Sequence, residues 1–101
     1  MAHRMAEMRA RGATVEALEL VYRADLRRFV RAATAIVGEE AAGRDAVQEA
    51  FVQAVRKRAS FKLEAPLEAW VWRIVINEAL ALRRRHAPEL EWDAESATIA
   101  R

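Results

Sequence analysis

Cysteine is absent from the 101-residue chain. That excludes disulfide stapling, Cys-ligated zinc and thiol nucleophiles, and nothing points to an oxidising compartment. Only three glycines and two prolines occur, and they fall between periodic segments, as helix breakers do. Long apolar runs are missing too: no stretch approaches the roughly 20 residues that span a bilayer, and the N-terminus lacks a secretory core. A soluble, cytoplasmic protein with no membrane partner is expected.

The catalytic inventory is equally thin. The two histidines, His3 near the N-terminus and His86 at a helix end, make no obvious joint site. No metal-ligand constellation is visible. The paired acids Glu39–Glu40 and Glu89/Glu91 sit in solvated turn or tail, which suits water contact better than acid–base chemistry. Gly12, Gly38 and Gly43 are too dispersed for a phosphate-cradling loop. Neither enzymatic activity nor a cofactor nor a metal is expected, and burial alone must hold the fold.

What is present suits that task. With 53% hydrophobic residues, the chain is long enough for one core and too short for two ordinary domains. The net charge of +2 hides an uneven distribution. Residues 1–55 balance eight basic against eight acidic groups, residues 56–86 carry eight against three, and the segment from Ala87 holds four acids and one arginine. The basic stretch is suited to a polyanion, or is simply a helix surface solvated by arginine.

Apolar periodicity predicts three helices. Leu18, Val21, Tyr22, Leu26, Phe29, Val30, Ala33, Ile36 and Val37 recur at helical steps, placing the first over about Val15–Val37 with Thr14 as N-cap and Gly38 closing it. The second covers roughly Ala41–Arg58 on a stripe of Val47, Ala50, Phe51, Ala54 and Val55. The third runs from Pro66 to about Arg85. Its apolar middle could pass for a strand, but no second strand candidate exists to pair with it. An all-α fold follows: a frayed segment 1–12, a helical domain 13–86 and an acidic, linker-like tail 87–101.

Two surfaces stand apart from ordinary solvated faces. On the second helix, Asp45, Gln48 and Glu49 form an acceptor-rich patch beside Val52, suited to a basic partner helix as well as to water. Around the third helix, Arg56, Lys57, Arg58 and Lys62 lead into Arg73, Asn77 and Arg84, with Phe61 and Trp72 nearby. Cations interleaved with aromatic rings match the needs of single-stranded nucleic acid, whose phosphates pair with charge and whose bases stack. Trp70, on the apolar stripe, reads as core.

The order of these segments resembles a known family. Asp45-Ala-Val-Gln48-Glu49-Ala-Phe51, then Ser60-Phe61, then Trp70-Val71-Trp72-Arg73-Ile74-Val75-Ile76-Asn77 is similar to the pattern of extracytoplasmic-function sigma factors: Asp-x-Val-Gln-Glu-x-Phe, Ser-Phe, and Trp-Leu-Tyr/Phe-Arg-Ile-x-x-Asn. Leu20-Val-Tyr22, Leu26-Arg-Arg-Phe29 and Gly38-Glu39 extend the likeness to about Leu18–Arg85. It departs at Val71 and at Ala81, where the family often has an acid.

The resemblance implies a compact three-helix sigma region-2 bundle, with room for a short extra N-terminal helix. It implies docking of Asp45, Gln48, Glu49 and Val52 on the clamp helices of the RNA polymerase β′ subunit. It further implies capture of the non-template strand of the promoter minus-ten element, for which Arg56, Lys57, Phe61, Lys62, Trp72, Arg73, Asn77 and Arg84 are the candidates. In the family a C-terminal helix-turn-helix reads the minus-thirty-five element, and the segment after Pro88 would lead toward it. The other reading is a protein-interaction module of the same fold that binds an anti-sigma factor or self-associates, without a DNA role.

Overall fold

The computed structural model describes the backbone of residues 12–99 and the side chains of residues 12–86. The expectations for residues 1–11, including His3, fraying and an extra helix, lie outside the described residues. Among the described residues three α-helices pack on one another: α1 (Val15–Val37), α2 (Glu40–Lys57) and α3 (Leu67–Ile99), with a 3₁₀ turn at Arg58–Ser60. The apolar middle of α3 is helical, and no strand occurs among the described residues.

Local chemistry sets the helix limits. Thr14, in extended conformation, accepts a hydrogen bond from the Ala17 amide on its Oγ1 at 3.0 Å, filling one of the open donors of the first turn. At the other end Gly38 adopts φ 88°, a left-handed conformation that spares a residue without a Cβ any clash, and its amide donates to the Thr34 carbonyl at 2.7 Å. The end of α2 is closed by side chains. The Arg58 guanidinium donates to the Val55 carbonyl at 2.7 Å and the Ser60 hydroxyl to that of Lys57 at 2.6 Å. Pro66 opens α3, its carbonyl accepting from the Ala69 and Trp70 amides.

The core is the set of stripes read from periodicity. Leu18, Phe29, Val30 and Ala33 of α1 meet Ala46, Val47, Ala50 and Ala54 of α2 and Val71, Val75 and Ala79 of α3. Phe29 is central: its ring centroid lies 5.7 Å from that of Phe51 and 5.8 Å from that of Trp72, joining all three helices. The α1–α2 crossing is the tightest point. A Cβ on Gly43 would stand 2.8 Å from the Thr34 amide nitrogen and 2.9 Å from its Cα, and would collide with its Oγ1.

Two boundaries differ from expectation. Gly12 is not frayed: the neighbouring Ala13 amide donates to the Arg58 carbonyl at 2.9 Å, tying the start of α1 to the end of α2. The third helix does not stop near Arg85 but continues through Pro88 to Ile99. Proline removes one backbone bond, yet Glu, Leu and Ala dominate the following turns and no glycine interrupts them. The tail expected as linker is therefore helical in its backbone.

Candidate functional site

Asp45, Gln48, Glu49 and Val52 recur at three- and four-residue steps along α2, opposite the buried Ala46, Val47 and Ala50, and all four are exposed. The structure thus brings together the whole acceptor-rich patch. Arg56 falls one turn beyond Val52 on the same side of α2 and is exposed. That register places it with the patch and away from the nucleic-acid candidates with which the sequence grouped it.

Where this face meets α3, a groove of about 410 Å³ is lined by Asp45, Glu49, Gln53, Glu78 and Arg85 among others. Sequence reasoning missed Glu78, which is buried at 8% exposure. Its Oε2 accepts from the Gln53 side-chain amide at 2.8 Å and its Oε1 lies 3.3 Å from the Arg85 guanidinium. A signal was available: Glu78 occupies a core register of α3, on the stripe of Val71, Val75 and Leu82. Gln53→Ala leaves this carboxylate with Arg85 as its remaining partner among the described residues. It is expected to cost about 1–3 kcal/mol, read as a lower urea midpoint with an unchanged slope.

The second surface lies at the Ser60–Ala65 loop. Phe61, Lys62, Glu64, Ala65, Ala69, Trp70 and Arg73 surround a hollow of about 400 Å³ between the loop and the first turns of α3. Lys62 and Arg73 are exposed on its rim, and Leu63 projects from the loop at 63% exposure.

Phe61 requires a correction: it is not a free stacking ring. At 3% exposure, with its centroid 5.3 Å from that of Trp70, it anchors the loop to the domain. A lone aromatic next to a basic run carries no information about depth, and the pull of burial for a phenyl ring, about 2–3 kcal/mol, decides its place.

Trp72 is half-buried. It lies on the flank of α3 facing α1, about a third of a turn from Arg73, packed against Phe29 with the Arg28 guanidinium 4.7 Å from its ring centroid. The Phe61 ring is closed to a base, and the half-buried Trp72 ring is already engaged by Phe29 and Arg28. Asn77 and Arg84 are exposed and continue the Arg73 stripe along α3, Arg84 standing about 16 Å farther on. Lys57 is exposed at the end of α2 and outside the hollow's lining.

Among the described residues no cluster of His, Asp or Glu has the makings of a metal site, and no helix is long and apolar enough to cross a membrane.

Residues 21–89 match the family Sigma-70 region 2. The chain belongs to the sigma-70 region 2 family. The match takes in most of α1, all of α2, the acceptor-rich face, the loop hollow and α3 as far as Glu89. Sigma region 2 is a non-enzymatic component of transcription initiation that works with core RNA polymerase and promoter DNA. No curated protein and no solved structure matches this sigma region 2.

Proposed function

We propose that this sigma region 2 is of the extracytoplasmic-function type. It docks on the β′ clamp helices through Asp45, Gln48, Glu49 and Val52, and holds the melted minus-ten element at the loop hollow. The observation that carries the reading is the disposition of two unlike surfaces on one small bundle. A stripe of acceptors runs along α2, and a hollow with Lys62 and Arg73 on its rim opens beside the start of α3.

Mechanistically this is strand capture. An extruded non-template base enters the hollow, whose inner wall is Phe61 and Trp70, while Lys62 and Arg73 hold flanking phosphates and Asn77 and Arg84 extend the track. Binding only the opened strand, the domain shifts the duplex toward the melted state without making or breaking a covalent bond. Phe61 and Trp70 shape the hollow from inside.

Retention of purified core polymerase by the chain is the primary test. The DNA half is tested separately, on the polymerase complex with a pre-melted promoter bubble. Lys62→Ala/Arg73→Ala is expected to weaken bubble binding about tenfold or more and to reduce the salt slope by about two, leaving polymerase retention intact. An unchanged slope would remove these residues from the DNA interface and favour the interaction-module reading.

A further inference from the structure

The α1 flank facing away from α3 carries a feature that neither polymerase docking nor strand capture uses. Leu26, Val30 and Thr34 of α1 and the first turns of α2 enclose a hollow of about 460 Å³ with an apolar floor. Three arginines, Arg27, Arg31 and Arg44, stand around it. Arg44 is held by Glu40, donating to its Oε1 from Nε at 3.2 Å and from Nη2 at 2.8 Å. Arg27 and Arg31, one helical turn apart and both exposed, form no ion pair with any described residue. The hollow therefore has an excess of two positive charges over an apolar floor, which suits an acidic segment carrying large apolar residues.

Such a segment exists in this chain. Glu89-Leu-Glu-Trp-Asp-Ala-Glu95 places four acids among seven residues, together with Leu90 and Trp92. Glu89 and Asp93 are one helical turn apart, the same spacing as Arg27 and Arg31. α3 packs on the opposite flank of α1, where Trp72 meets Arg28 and Phe29. Beyond Leu82 it continues as helix to Ile99, which carries Asp93 about 16 Å farther along the axis. The backbone of the segment is thus carried away from the body that bears the arginines.

We propose that the arginine-lined hollow receives the acidic 89–95 segment of a second copy of the chain, Glu89 and Asp93 pairing with Arg27 and Arg31 while an apolar side chain covers Leu26 and Val30. Each copy offers one hollow and one segment, so two copies satisfy each other reciprocally. The contact is separate from the acceptor face of α2 and from the loop hollow, and it stands or falls independently of polymerase docking.

The test is the mass of the full chain in solution, by sedimentation equilibrium at about 0.05 M and 0.5 M salt, a range over which screening shortens from ~14 Å to ~4 Å. The chain is expected to associate at low salt, with the association constant falling about tenfold or more at high salt. Arg27→Glu/Arg31→Glu and Glu89→Lys/Asp93→Lys are each expected to be monomeric, with the circular dichroism and melting of the parent. Mixed together they regain association, because the acidic segment of the first meets the intact hollow of the second and its lysines meet the new glutamates. A parent chain that stays monomeric at low salt, association that survives either reversal, or a mixture that stays monomeric would each overturn the proposal.

Discussion

Alanine at Asp45, Gln48 and Glu49 together is expected to abolish retention of core polymerase while leaving the domain folded. All three side chains are exposed, and none makes a hydrogen bond or ion pair with another described residue. Truncating them removes no internal interaction, and stability should stay within about 0.5 kcal/mol of the parent. In a docked complex the same groups would accept from basic donors at about 1.5–3 kcal/mol per charge-assisted bond. Losing three of them weakens binding by roughly 4 kcal/mol or more, about a thousandfold, far beyond what a pull-down detects. Retention by the variant at parental level would show that another surface carries the docking. Val52→Ala alone, which trims one exposed apolar side chain, is expected to weaken retention only severalfold.

The largest effect on stability is expected from one methyl group at Gly43. Alanine ordinarily favours a helix over glycine by about 1 kcal/mol. Here the added Cβ meets the Thr34 amide nitrogen at 2.8 Å and its Cα at 2.9 Å, backbone atoms of a neighbouring helix that no rotamer change can move. The two helices must separate along an interface that includes Phe29, Val30 and Ala33 against Val47 and Ala50. A net loss of about 3 kcal/mol is expected, a large share of the 5–15 kcal/mol typical of a domain, seen as a fall in melting temperature of roughly 15 °C.

Thr34 supplies the control for that experiment. Its Oγ1 is buried without a hydrogen-bond partner among the described residues, so Thr34→Ala alone should be neutral or mildly stabilising. In the double variant it should recover only a small part of the loss, because the backbone clash remains. Full recovery would mean that the side chain, and not the backbone, sets the helix spacing.

What could be read beforehand follows from how local each determinant is. The limits of α1 were legible because Thr14 and Gly38 act on groups within four residues of themselves. The acceptor patch of α2 was legible because helical periodicity alone puts Asp45, Gln48, Glu49 and Val52 on one side. Phe61 was misjudged, and the openness of Trp72 overstated, because exposure is decided by what other helices bring to them. Trp70 and Phe29, nine and more than forty residues away, take the rings that adjacency to lysine and arginine had offered to DNA. Pro88 misled in the opposite direction, since a helix that lacks one backbone bond still propagates when its neighbours are good formers. Glu78 was overlooked and Gly43 was read as a breaker, although both stand in core registers of their helices. A glycine or a carboxylate at such a position marks a close backbone approach or a paired buried charge.

The burial of Phe61 has a kinetic consequence. The loop is pinned at one end by that ring against Trp70 and at the other by the Pro66 carbonyl in the first turn of α3, leaving only four residues, Lys62 to Ala65, between fixed points. A receptor already shaped before its ligand arrives loses little conformational entropy on binding. If the loop hollow receives a melted strand as proposed, encounter should be a single step whose rate follows strand concentration and ionic strength, with no slow rearrangement of the protein behind it.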